Sequence, residues 1–168
     1  GTSGALVPAG SNQVLDRLTI VTNGGGAGVM AADAAALAGV SLAPLDAAMR
    51  ERLDAALPAN WSHANPVDII GDAPVERYVQ TLQTLLADRA SGTLLFMHAP
   101  TAIVPSAEIA RALLPVAQAA AGRVLSCWLG GPAVQVARDG FHAAGIPTYD
   151  TPEQAVHAFS LLVTYRRN

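Results

Sequence analysis

Four glycines in five positions, Gly24, Gly25, Gly26 and Gly28, stand between the apolar run of Leu18, Ile20 and Val21 and an alanine-rich helical pattern that begins near Ala27. Glycines there remove the side chains that would keep a ligand from the backbone. A helix starting at this point aims its free N–H groups and the positive end of its dipole at the space above the strand. The chemistry this suits is binding of an anion, in outline a cradle of backbone donors. Two further stretches carry reactive or hydrogen-bonding groups. WSHANPVDIIGDAP holds Asn65, Pro66 and Asp68, with Pro66 keeping Asn65 out of helical geometry, and HAPT follows the apolar run Thr93 to Met97.

These groups need a scaffold, and the hydrophobic pattern supplies one. Strands are expected at Leu18–Val21, Val40–Ala43, Thr93–Met97, Val124–Trp128 and Ile146–Tyr149. Helices are expected at Val29–Leu37, at Leu45–Leu57 with its four-residue apolar spacing, and from an Asp72 cap through Leu86. Others run from Ser106 to about Ala120, over Ala133–Ala144, and from a Thr151-x-x-Gln154 cap to the C-terminal arginines. Strict alternation of strands and helices specifies an α/β, flavodoxin-like three-layer sandwich with a five-stranded parallel sheet in the order 2-1-3-4-5. Ligands of such sheets sit beyond the carboxyl ends of the strands. Asn23 to Gly28, His98 to Val104 and Leu129 to Pro132 meet there, with Asn65 to Asp72 beside them.

Composition narrows the partners. The chain has 168 residues, 51% hydrophobic and 14% charged, with net charge −3 and all ten basic residues arginine. A chain of this length buries about 70% of its unfolded surface without a metal or disulfide staple. Scattered arginines do not make the clustered basic face that nucleic acid requires, and no apolar run reaches the roughly 20 residues of a membrane helix. Cytoplasmic localisation is therefore expected. Residues 1–16 read as a linker or cloning remnant and 17–168 as the folded domain. Cys127, the single cysteine, lies in an apolar strand as a small buried hydrophobe, and no histidine pair has metal-ligand spacing with a carboxylate, so no metal is expected.

Gly26-x-Gly28-x-x-Ala31 also satisfies the dinucleotide fingerprint, with Asp46 about twenty residues on. Asp46 equally precedes a helix pattern, where Asp is a common N-cap. A flavin mononucleotide site would want more hydroxyls than Thr22, although Trp128 could stack. Asp68 reads either as a ligand group or as an Asx-type turn holder. His98 reads as a ligand contact or a packing residue, and His142 and His157 as surface residues.

TIVTNGGGAGVMAADA, LPANWSHANPVDIIGDAPVERY, Pro100–Ala102 and GIPTYDTPEQAVHAFSLLVTYRRN, in that order, together resemble the carboxyl-terminal flavodoxin-like domain of the NDP-forming acyl-CoA synthetases. That family includes ADP-forming acetate:CoA ligases and is related to succinyl-CoA ligase. The same arrangement occurs in the ligase-like body of bacterial protein lysine acetyltransferases, toward which NWSHANPVDIIGDAP and YRRN lean. The resemblance implies conversion of acid, CoA and ATP to acyl-CoA, ADP and phosphate by the parent protein. In that cycle a histidine of a sibling domain carries the phosphoryl group to a nucleotide on an ATP-grasp module. It assigns Asn23, Gly24, Gly25, Gly26, Gly28, Pro100, Thr101 and Ala102 to the phosphate or acyl wall, and Asn65, Pro66 and Asp68 to a supporting loop. It implies no catalytic side chain and no tightly bound cofactor on this chain, inactivity in isolation, and partners in the CoA-binding, phosphohistidine and ATP-grasp domains. The family's phosphorylated histidine has a Ser-His-Thr-Gly context, whereas His63 is followed by Ala64 and Asn65. A regulatory, acyl-CoA-sensing role in an acetyltransferase is the alternative.

Overall fold

The computed structural model describes residues 13–168, so residues 1–12 of the expected lead-in lie outside it. Its five strands are β1 (Leu18–Thr22), β2 (Val67–Asp68), β3 (Thr93–His98), β4 (Val124–Trp128) and β5 (Thr148–Tyr149), all parallel, in the order β2-β1-β3-β4-β5. The helices are α1 (Gly25–Ala38), α2 (Ala47–Ala56), α3 (Val75–Leu86), α4 (Ser106–Ala119), α5 (Gln135–Ala143) and α6 (Pro152–Arg167).

The central strands are apolar on both sides because helices cover both faces. Leu18, Ile20, Leu95, Met97, Leu125 and Cys127 pack with α1 and α6. Their alternates Val21, Leu94, Phe96, Val124 and Trp128 pack with α2 to α5. Period-two alternation thus sorts one run of residues into two cores.

The outer edge of β1 corrects one sequence expectation. Val40–Ala43 is not a full second strand; it makes only an isolated bridge, Leu42 to Leu18. The Leu18 N–H donates to the Ser41 carbonyl and the Ala43 N–H to the Leu18 carbonyl, both at 2.9 Å. The Asn65 side chain then takes over. Its Oδ1 accepts from the Ile20 N–H at 3.0 Å, and its Nδ2 donates to the carbonyls of Leu18 (3.0 Å) and Ala43 (2.8 Å). After the cis Asn65–Pro66 peptide, Val67 and Asp68 pair with Val21 and Thr22 as β2. A side-chain amide can replace a stretch of ladder because it carries the same donor and acceptor as a peptide group.

Asp72 is a second correction. Pro74, not Asp72, is the N-cap of α3. Asp72 instead accepts from Arg77 at 2.7 Å, and that guanidinium holds its carboxyl below the ordinary value. The expected Thr151 cap forms, with the Gln154 N–H donating to Thr151 Oγ1 at 3.1 Å. Val14–Asp16 is a 3-10 turn. Its buried Asp16 meets Arg166 at 3.0 Å and Arg167 at 3.3 Å, tying the C-terminal arginines to the start of β1.

Replacing Asn65 by Ala strands the Ile20 N–H and the Ala43 carbonyl and leaves the Leu18 carbonyl with the Ala43 N–H alone, and unfolding free energy should fall by about 2–4 kcal/mol in urea denaturation. Asn65→Asp keeps the acceptor but turns the donor into a second acceptor facing two carbonyls, so it should be no milder.

Candidate functional site

Helix α1 begins without a side-chain cap. Its first intrahelical bond runs from the Gly28 N–H to the Gly24 carbonyl at 3.3 Å, so the amides of Gly25, Gly26 and Ala27 remain free. The preceding turn is rigid: Thr22 Oγ1 donates to the Gly24 carbonyl at 2.9 Å and accepts from the Gly24 N–H at 3.0 Å. A Cβ at Gly24 or Gly26 would face open space, so packing does not demand glycine at either position. Gly28 differs, since its Cβ would press Thr22 Cγ2 at 3.2 Å and Pro66 Cβ at 3.4 Å. Close approach of helix and supporting loop therefore requires glycine there.

Asn23 is a clamp. Its Nδ2 donates to the Ala99 carbonyl at 2.8 Å, and the Ala99 N–H donates to its Oδ1 at 2.9 Å. This pair joins the first loop to the second. The third loop attaches through the Leu129 N–H, which donates to the His98 carbonyl at 2.8 Å. It also attaches at Gly130, where φ is 120° and a Cβ would come within 2.6 Å of Pro100. Pro100 and Ala102 are exposed and Thr101 is half-buried, with Thr101 Oγ1 accepting from the Ile103 N–H at 3.2 Å.

The supporting loop is equally tied down. Asp68 Oδ1 accepts from the Ile70 N–H at 2.9 Å, the Asx-turn arrangement, and holds Ile70 at φ 73°. Its Oδ2 lies 3.4 Å from where a Gly25 Cβ would stand, beside the open amides. The four loops thus form one connected rim at the carboxyl edge of the sheet.

His63 lies elsewhere in its contacts. Nε2 is 2.7 Å from the Ala59 carbonyl, Nδ1 is 3.2 Å from Asp54, and the ring packs on Trp61 at 4.7 Å. Asp46 caps α2, accepting from the Met49 N–H at 2.7 Å, which is the capping reading of that residue. His142 and His157 are exposed. Cys127 is fully buried, and burial pushes its thiol up to about 12, so it stays protonated. Among the described residues no group of three or more His, Cys, Asp or Glu could hold a metal ion.

Sequence reasoning named His98 as a ligand contact or packing residue and Trp128 as a ring that could stack, but missed the polar floor that they form with Tyr78 beneath the rim. His98 is wholly buried, with Nε2 3.1 Å from Ser106 Oγ at the start of α4. Its Nδ1, the Tyr78 hydroxyl and Trp128 Nε1 are all buried without a hydrogen-bond partner. The Tyr78 ring lies 5.5 Å and the Trp128 ring 5.4 Å from His98. The Tyr78 hydroxyl lies toward Asn23 without meeting hydrogen-bond geometry, and burial raises its pKa to about 12. Arg77 and Arg138 were also missed. Arg77 donates to the Ile69 carbonyl at 3.1 Å as well as to Asp72, and Arg138 donates to the Trp128 carbonyl at 2.7 Å. Both brace loop backbone, a role with no one-dimensional signature.

Burial lowers the His98 pKa from 6.5 to about 4. The folded state therefore resists a proton that the unfolded state accepts, and stability should fall as pH drops from about 6.5 toward about 4. The effect is on the order of 2–3 kcal/mol. His98→Gln should flatten that part of the profile in denaturation series at about pH 7, 6 and 5.

The Ligase-CoA domain family matches residues 18–160. The ADP-forming acetate–CoA ligase I of Archaeoglobus fulgidus is 37% identical over 151 residues, covering 89% of this chain and 21% of that protein. The alpha subunit of ADP-forming acetate–CoA ligase II from Pyrococcus furiosus is 32% identical over 157 residues, covering 91% and 34%. Among solved structures, the dinucleotide-forming acetyl-coenzyme A synthetase 1 of Ca. Korarchaeum cryptofilum, in complex with phosphate and ADP, superposes with a TM-score of 0.83. It is 31% identical, with 90% of this chain and 33% of that one covered. The chain thus spans between about a fifth and a third of these relatives. With the matched segment running from β1 into α6, the chain belongs to the Ligase-CoA domain family.

Proposed function

We propose that this chain is the domain of an ADP-forming acyl-CoA synthetase that supplies one wall of the acyl phosphate and phosphohistidine site. The observation that carries the reading is the uncapped start of α1, where the Gly25, Gly26 and Ala27 amides are free and the glycine positions 24 and 26 open to solvent.

The chemistry follows from that geometry. Three N–H groups and a helix dipole stabilise the oxygens of a tetrahedral phosphate or acyl phosphate without a nucleophile on this chain. Because Asn23 and Thr22 hold the turn in place, the donors need no reorganisation as charge develops. Asp68 beside Gly25 opposes permanent anion binding, which suits a group that must leave again. Pro100, Thr101 and Ala102 form the neighbouring part of the wall, while Asn65 and Pro66 hold the supporting loop against Gly28. CoA and ATP or ADP belong to the parent protein, with no cofactor held tightly here. Sibling domains supply the histidine, the CoA site and the ATP-grasp module, so the isolated chain has no turnover. No helix among the described residues is long and apolar enough to cross a membrane, and the proposed site of action is the cytoplasm.

The full-length parent should release ADP from ATP only when acetate or another small acid and CoA are both present. Tight acyl-CoA binding without ADP release would instead favour the sensing role in an acetyltransferase, and binding of a nicotinamide cofactor would overturn both. Gly26→Leu places a side chain in empty space at the helix start. It should cut turnover of the parent at least about tenfold while leaving thermal stability unchanged or slightly raised, since Gly is a poor helix former by about 1 kcal/mol.

A further inference from the structure

The two helical layers have different outer surfaces. Of the large apolar side chains exposed among the described residues, Val29, Met30 and Leu37 lie on α1, and Leu161, Leu162 and Tyr165 on α6. Of the other two, Val136 lies on α5 in the opposite layer and Ile103 in the loop after β3. Leu37 is 91% exposed and Tyr165 82%.

Helix α1 is also poor in charge. The 14 residues of α1 include one charged side chain, Asp33. The 10 residues of α2, in the other layer, include Arg50, Glu51, Arg52 and Asp54. On α6, Arg166 and Arg167 reach Asp16, although Arg167 stays 63% exposed, and Glu153 is exposed in the first turn. Helix α1 uses Gly28, Ala31 and Ala35 against the sheet, and its outward face carries Val29, Met30 and Leu37 with Asp33 as the one charge among them. A helix apolar all round is normally buried on all sides, and contiguous exposed apolar surface of this kind marks an interaction face.

We infer that the outer face of α1 and α6 is the seat of another domain of the same synthetase, which meets it with a largely aliphatic surface. The inference rests on the proposed function for the partner's identity. The relatives are three to five times longer than the matched segment, since it covers 34% to 21% of them, so further domains are there to be seated. The amides of Gly25, Gly26 and Ala27 sit at the start of α1, with the Asp68 carboxylate beside Gly25. A domain bringing the reacting group to that helix end has the flank of the same helix as its nearest support. Docking and catalysis then share one element: seating on α1 sets the distance between the incoming group and the α1 amides.

Single-cysteine labelling of the full-length parent tests this. Leu37→Cys, Leu161→Cys and Val136→Cys are each treated with N-ethylmaleimide, and modification of the relevant peptide is followed by mass spectrometry in the native and the urea-unfolded protein. Buried Cys127 gives no native background. Relative to the unfolded rates, native labelling at positions 37 and 161 should be at least tenfold slower than at 136. Equal labelling at all three positions overturns the inference. Protection that disappears on dilution, as a homo-oligomer falls to single copies, overturns it too, because the cover is then a second copy. Labelling does not depend on turnover. ADP release without protection would remove the docking face and leave the function standing, whereas protection without ADP release would do the reverse.

Discussion

Two hydrogen bonds between Asn23 and Ala99 hold together what the sheet cannot. Strand pairing ends where β1 and β3 stop, and beyond that edge the loops have no ladder to fix their spacing. The Asn23 amide extends the pairing by one step, donating and accepting at 2.8 and 2.9 Å. The rest of the rim follows from this link: the open start of α1 faces the Pro100 loop, Pro100 packs on Gly130, and Gly25 sits beside Asp68.

A second asparagine solves a related problem lower on the same strand. Asn65 occupies a gap in the outer edge of β1, between the segment around Leu42 and the two-residue β2. Backbone groups at a sheet edge are costly when left unpaired in a partly buried setting. With the gap filled by one side chain, the segment carrying Asp68 arrives at the α1 terminus already aligned. The supporting loop is thereby both the edge of the sheet and a neighbour of the anion-binding amides.

Beneath the rim, burial rather than charge sets the chemistry. His98 is kept neutral by loss of solvent, with its pKa near 4, and Tyr78 is kept protonated for the same reason. Arg77 and Arg138 are spent on loop carbonyls and carboxylates. Binding of a charged group at this edge therefore relies on backbone donors, whose positions are set by packing. Unpaired polar atoms on the three buried rings, Tyr78, His98 and Trp128, are of the kind that hold an internal water.

The sequence by itself determined the sheet order, the class of fold, the glycine-lined start of α1 and the Thr151 cap. Each of these depends on local spacing: two-residue alternation, helical period, a glycine cluster, a cap three residues from its partner. It also determined the resemblance, because four motifs in order constrain far more than one glycine loop. It misplaced the second strand, reading apolar Val40–Ala43 as the neighbour of β1, because edge pairing there is shared among a loop, a side-chain amide and a two-residue strand. Only the tertiary structure decided that Asn23 and Asn65 act as pieces of backbone, that Asp72 serves Arg77, and that His98 is sealed under the rim. For the two asparagines the deciding contacts join residues 45 and 76 positions apart, Asn65 with Ile20 and Asn23 with Ala99, and no local pattern in the chain encodes such a distance.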